Sequence, residues 1–433
     1  MNFVHLENSN GEYALSFFSV HIDTEDSDIE EIKKKYTSTF VHEFLHYLQD
    51  LVLPYNIRTN LSNIAYFYNI IECTQSKKII ERPFKEFDFN TRTLWEQSSW
   101  TLGQKGSDGF VENVTAIRDI KMSYLDQKCI DHSKNFVTRR LYKYEIETDQ
   151  VLSYQFGARD FLEYIAYKIE AKHFPSEKNS FTFPYCTIDA IFDHYGLSSI
   201  DEDIKICIAE ACLYNDNPAH NLMSSFLSRK DVLLNSRYEH IYPFLYNSIF
   251  ITPDGTPGES LLSKRARRLD DFKQFLGDNY KSFSDIVQWI ETVNSFVRDK
   301  LPDQFIFSYM YRLSTDAFLD FVNDTILEIG IPMVLNKHEI YSSSRPKECT
   351  ENHTNQFVNF YIMEKYLNGL LYDNKTFLSC PILKFCKANF DCHTCSCTQI
   401  YDLRRKKLKN LENCPLREFL EIYGLDEATY QCR

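Results

Sequence analysis

Two histidines and a glutamate in the stretch His42-Glu43-Phe44-Leu45-His46 constrain this chain more than any other feature. The pattern reads H-E-x-x-H and lies in a run from Tyr36 to Leu53 with helical periodicity. Val41, Leu45, Leu48 and Val52 are spaced four, three and four apart and form one apolar stripe. His42 and His46 are one turn apart on a different face, so both imidazoles can reach a single ion. Glu43 is turned from His42 by about 100°, as suits a residue that handles water beside a metal rather than the metal itself. A hydrolytic zinc site takes three protein ligands and keeps one position open, so this helix supplies two of the three.

At 433 residues and 51.2 kDa the chain has room for a sizeable core and for two or three domains. The 28 Tyr and 34 Phe imply an aromatic interior, while only 12 Gly and 13 Pro argue against long flexible linkers. A net charge of −13 argues against general nucleic-acid binding, which needs an excess of Lys and Arg. The two basic runs, Lys264 to Arg268 and Arg404 to Lys409, read as solvated faces. The first residues lack the basic-then-apolar pattern of a signal peptide, and no run of about 18 apolar residues predicts a membrane span. The 13 cysteines are odd in number and seven lie from Cys380 onward, which suits thiols and metal in a reducing cytoplasm.

Along the chain, Glu12 to Ile22 reads as a strand, and Asp23 to Asp28 as a polar turn. A helix from about Asp28 to Leu53 follows, stopped by Pro54. Tyr142 to Glu147 alternates like a second strand, and Tyr154 to Phe174 reads as a second long helix. Asp270 to Leu301 and Thr315 to Leu327 are further helical stretches, with the loop Thr252 to Gly258 before them as a candidate boundary. The expected fold class is mainly α with a small β element (α+β). Three regions are expected: a catalytic region at 1–175, a helical region at 176–379, and a cysteine-rich module at 380–433.

Glu163 is the preferred third ligand, because small Ala166 nearby would let its helix approach the first one closely. Glu170, two turns further on the same face, could hydrogen-bond a ligating histidine. Glu112, followed by Ala116, and His132 are the alternatives. The His42 motif together with the Glu163 helix resembles the gluzincin type of zinc peptidase, a zincin class in which a helix-borne Glu completes the site. The Asp that usually follows four residues after that Glu is absent, since position 167 is Tyr. The extended histidine motif of the metzincins is absent too. The resemblance implies peptide hydrolysis with zinc activating a water, Glu43 as general base and acid, and a strand beside the metal helix offering its edge to substrate. Tyr167 and His173 are the candidates for stabilising the oxyanion.

The tail carries Cys380, Cys386, Cys392, Cys395, Cys397 and Cys414. Cys392 and Cys395 form a C-x-x-C knuckle, and four of the six would close a structural zinc site, with His393 able to replace one. An iron–sulfur cluster is the alternative occupant. The combined expectation is a cytoplasmic zinc endopeptidase acting on a protein or peptide substrate, with no membrane and no nucleic-acid partner. The rival reading is a non-catalytic interaction or regulatory protein with structural metal sites, its cysteine tail a binding or redox-sensing module.

Overall fold

The computed structural model describes residues 5–8, 11–77, 79–82, 84–85, 88–103, 110–130, 136–151, 153–175, 182–246, 249–251, 257–280, 283–300, 305–343, 346, 352–371, 380–390, 414–426 and 428–432. Among them the architecture is mainly helical with small sheets. The helical stretch expected from Asp28 to Leu53 is two helices, Ile29–Lys35 and Thr37–Val52. Asp28 caps the first by accepting from the N–H groups of Glu30 and Glu31. The break falls at Tyr36, where the Thr37 hydroxyl donates to the Lys33 carbonyl at 2.6 Å and competes with the backbone ladder. The second helix, here the His42 helix, ends at Val52 because Leu53 precedes a proline and is extended, with ψ 126°.

The expected strand Glu12 to Ile22 is instead a hairpin of Gly11–Ala14 and Ser19–Ile22. The chain reverses through Leu15 to Phe18 with two left-handed residues, Ser16 at φ 75° and Phe18 at φ 53°. Such residues cost energy that the surroundings must offset. Asp50, near the end of the His42 helix, does so: its Oδ2 accepts the Ser16 N–H at 2.7 Å and the Tyr13 hydroxyl at 3.0 Å. The hairpin is thereby tied to the helix it packs on.

Strand His5–Asn8 covers the outer side of Gly11–Ala14, so the free edge on this side is His5–Asn8 and not the stretch expected from sequence. On the other side Met333–Leu335 runs parallel to Ser19–Ile22, followed by Tyr341–Ser342, which completes a five-stranded sheet. Strand Thr429–Cys432 likewise pairs in parallel with Ile79–Arg82. Elements from all three expected regions therefore interleave, and positions 175 and 379 do not separate independent sheets. Strands Ile249–Ile251 and Pro257–Ser260 pair antiparallel, and residues 252–256 of the expected boundary loop lie outside the described residues. One aromatic core runs through these elements. Phe18 meets Tyr47, Trp289, Phe357 and Phe360 edge to face, at 5.3–6.4 Å between ring centres.

A second sheet delivers the other helix of the site. Strands Ile117–Ile130 and Phe136–Thr148 form a long hairpin, and Tyr154–Phe156 adds a third strand beside Tyr144 to Ile146. The helix expected from Tyr154 thus begins later, as Ala158–His173. Gly157 marks its start, where a Cβ would lie 2.4 Å from backbone atoms of Leu102 and Gly103, so only glycine fits. Asp160 locks this corner by accepting the Gly157 N–H at 2.9 Å and the Tyr154 hydroxyl at 2.7 Å. No helix of the described residues is long and apolar enough to cross a membrane.

Glu210, fully buried on helix Glu202–Cys212, accepts the Ser308 N–H at 2.8 Å. Burial raises its pKa to about 8, against the opposing pull of the backbone N–H groups of residues 306–308. A carboxyl whose folded pKa exceeds its unfolded one contributes stability that is full below the unfolded value and is lost as pH rises from there toward the folded value. Urea titrations should therefore show wild type losing roughly 2–3 kcal/mol more than Glu210→Gln between about pH 5 and pH 7. Parallel pH profiles for the two proteins would contradict this assignment.

Candidate metal centre

The His42 helix and the Glu163 helix pack directly on one another. Ala166 is fully buried. His42, His46 and Glu163 come together, all three buried, as a group able to hold a metal ion. Their ligand atoms form a nearly regular triangle. His42 Nε2 and His46 Nε2 are 3.1 Å apart, and each is 3.4 Å from Glu163 Oε2. A tetrahedral ion with bonds of about 2.0–2.1 Å requires donor–donor edges of about 3.3–3.4 Å.

The opposite nitrogens fix the imidazoles. His42 Nδ1 lies 2.8 Å from Glu170 Oε2, and the Ser38 hydroxyl donates to the other oxygen of that carboxylate. His46 Nδ1 lies 2.8 Å from Gln49 Oε1, whose amide nitrogen donates at 3.0 Å to the Leu162 carbonyl on the Glu163 helix. That last bond directs the amide oxygen, not the nitrogen, toward His46. With acceptors at both Nδ1 atoms, each neutral imidazole carries its proton there and turns an Nε2 lone pair inward. With both imidazoles neutral, two lone pairs and a carboxylate oxygen converge within 3.4 Å, a donor set that a cation satisfies; without one, a proton on His42 takes that place.

The charges respond accordingly. Burial would raise the pKa of Glu163, but His46 and His42 outweigh it and hold the carboxyl down at about 2. Burial would lower His42, yet the Glu163 and Glu170 carboxylates raise it well above its ordinary value. Glu43 lies outside the ligand triad. It is fully buried, neither carboxylate oxygen has a hydrogen-bond partner among the described residues, and burial pushes its pKa well up. Gly11 closes over it, since a Cβ there would sit 2.4 Å from Glu43 Oε1. The hairpin that Asp50 holds in place thus also sets the space for Glu43.

The remaining expected site residues divide. Tyr167, one turn beyond Glu163, meets the Tyr185 ring at 5.2 Å. His173 does not belong to the site. Ten residues beyond Glu163, about 15 Å along the helix, it stacks on Phe318 at 4.0 Å, with Nε2 3.2 Å from the Met310 carbonyl. Glu112 is exposed and not part of the triad, and His132 lies outside the described residues. Cys386 and Cys414 are buried, and Cys380 is half-buried. Cys392, Cys395, Cys397 and His393 lie outside the described residues, as does the run Arg404 to Lys409. The run Lys264 to Arg268 is not the solvated face expected of it, because Lys264 and Arg265 are buried.

Sequence reasoning missed two residues. Gln49 was within reach, being three positions after His46 and so on the same side of the helix. Tyr185 had no local signal. Its ring lies 6.4 Å from His42 and 5.9 Å from Phe110, and burial together with the Glu163 and Glu43 carboxylates keeps its hydroxyl protonated far beyond the usual range. No protein-family model, no curated protein and no solved structure matches this chain.

Proposed function

We propose that this protein is a zinc-dependent hydrolase acting on peptide bonds. The observation that carries the reading is the triangle of His42 Nε2, His46 Nε2 and Glu163 Oε2, with edges of 3.1, 3.4 and 3.4 Å. His42, His46 and Glu163 would hold the ion, and three protein ligands leave a tetrahedral ion one position for chemistry. When bound, zinc supplies Lewis acidity that makes water a nucleophile near neutral pH. Glu43 takes the proton from the attacking water and passes it to the nitrogen of the leaving amine. Burial raises its proton affinity, which suits a group that accepts a proton and hands it on. Glu170 and Gln49 keep both imidazoles aimed inward. Tyr185, whose ring lies 6.4 Å from that of His42 and whose hydroxyl stays protonated, is the donor to the carbonyl oxygen as negative charge develops there.

The rival reading, a structural metal in an interaction protein, has one observation on its side: His42, Glu43, His46 and Glu163 are each at most 1% exposed. Glu43 counts against it. A buried carboxylate with both oxygens unpartnered costs stability, and a purely structural site has no use for it.

Metal content per chain, measured by inductively coupled plasma mass spectrometry on wild type and His46→Ala, tests the ion. Digestion of a peptide mixture, followed by mass spectrometry with and without chelator, tests the reaction. One zinc fewer in His46→Ala and chelator-sensitive cleavage support the proposal. Zinc in the triad without any cleavage supports the rival, and equal zinc in both proteins defeats both readings. Tyr185→Phe should lower kcat by about 100-fold with KM nearly unchanged. An equal rate in Tyr185→Phe would remove Tyr185 from the mechanism.

A further inference from the structure

The hairpin of Ile117–Ile130 and Phe136–Thr148 leaves one long side open. In its sheet the strands run in the order Ile117–Ile130, Phe136–Thr148, Tyr154–Phe156, so Ile117–Ile130 is an edge strand among the described residues. The ladder shows which of its backbone groups face outward. Thr148 turns its N–H to the Val151 carbonyl at 2.8 Å, away from Ile117–Ile130, so the odd-numbered residues of Phe136–Thr148 bond across the hairpin. Their partners are odd-numbered too, as in Glu147 with Asp119. The even-numbered residues from Ile120 onward therefore turn N–H and C=O to the open side. Ile120 agrees, its N–H going to the Asp119 side chain at 2.9 Å. This edge ends at Arg118, because the register shifts between Ile117 and Asp119 and His194 Nδ1 lies 3.2 Å from the Ile117 carbonyl oxygen.

Both faces of the ribbon are wet as well. Lys121 to Asp126 are all exposed, with Met122 at 57% and Tyr124 at 55%. A two-stranded ribbon without a buried face is marginal alone, and an open edge is a template for another strand. Cross-strand pairs already neutralise much of its charge, Lys121 with Glu147 at 3.0 Å and Arg140 with Asp126 at 2.8 Å. The ribbon thus offers backbone and apolar side chains rather than a charged field.

We propose that the occupant of this edge is a second copy of the chain, paired antiparallel through Arg118 to Asp126 across a two-fold axis at Met122. A two-fold axis normal to the sheet sets one residue opposite itself, and charge selects which. Centred on Lys121, the ladder opposes two ammonium groups; centred on Ser123, it opposes Arg118 to Lys128. Like charges directly opposite are destabilising. Centred on Tyr124, it sets Met122 against Asp126 and Ile120 against Lys128, which places charge on apolar side chains. Centred on Met122, it sets Met122 on Met122, Ile120 on Tyr124 and Arg118 on Asp126, the last two pairs each formed twice. Arg140 engages the Asp126 oxygens once each, at 2.8 and 3.3 Å, which leaves lone pairs for Arg118. Two three-stranded sheets then become one continuous sheet. The dimer does not depend on the metal centre, so its fate and that of the hydrolase reading are separable.

Sedimentation velocity of the full chain from about 1 to 100 μM tests this, and the dimer should prevail by the upper end. Met122→Lys sets two ammonium groups face to face, and Arg118→Glu sets a carboxylate against Asp126. Each should weaken the dimer by about tenfold or more. Circular dichroism should stay that of wild type, since both side chains are exposed. For the register, Met122→Cys should link the two copies by a disulfide under mild oxidation, identified by mass spectrometry of the joined peptide. Leu125→Cys should not, because Leu125 lies opposite Asp119 and about 20 Å from its own counterpart. A monomer at all concentrations up to about 100 μM overturns the proposal. So does a dimer that neither Met122→Lys nor Arg118→Glu weakens, or one that Leu125→Cys links and Met122→Cys does not.

Discussion

Glu43→Gln is expected to lower kcat by roughly 10²- to 10⁴-fold while leaving the metal content unchanged. Gln keeps the shape of the side chain, so Gly11 still closes over it, but an amide cannot take a proton from water. Stability should move the other way. Burial raises the Glu43 pKa, so its ionised form is disfavoured in the folded protein and stability is lost as pH rises through that pKa. A neutral amide removes this loss, so the urea midpoint at neutral pH should stay level or rise. Lost activity with a level or raised midpoint separates a chemical role from damage to the fold. Unchanged peptide cleavage by Glu43→Gln would end the reading of Glu43 as base.

The parts of the site legible in the sequence are those set by one helix. His42 and His46 are fixed relative to each other by helical geometry alone, and so is the separate direction of Glu43. Glu163 and Glu170 lie more than a hundred residues away, yet their seven-residue spacing survives as two turns of one helix, so naming the first as ligand brought the second as partner of His42. Tyr185 meets the rings of His42 and Tyr167 from outside both helices, a contact that no local pattern records. His173 fails for a geometric reason. Ten residues are nearly three turns, too far along the axis to serve the same ion as Glu163.

The same division holds for the fold. Helical periodicity and the Pro54 stop placed the His42 helix to within a residue at its C-terminal end. The reversal at Leu15 to Phe18 contains no Gly, Pro, Asn or Asp, and it is held by Asp50 from another element. The parallel pairing of Met333–Leu335 with Ser19–Ile22 joins segments more than 300 residues apart, so the boundaries drawn from composition could not register it.

Glu163→Ala tests the choice of third ligand and should remove one metal ion per chain. Two imidazoles remain, and their inward lone pairs no longer have a carboxylate to complete the set. The stability that metal binding lends the folded state disappears with it, about 4 kcal/mol when free metal is a thousandfold above its Kd. Wild type treated with a chelator that empties only this site should fall to the stability of Glu163→Ala, and the variant should not respond to that treatment. Glu112→Ala, changing an exposed residue outside the triad, should keep both the ion and the stability of wild type. Glu163→His should restore metal, because a third imidazole replaces the lost donor. If Glu163→Ala keeps its full complement of metal, the third ligand is another residue, and the triangle measured here is an ion-pair cluster with His42 protonated, as its raised pKa in the metal-free protein allows.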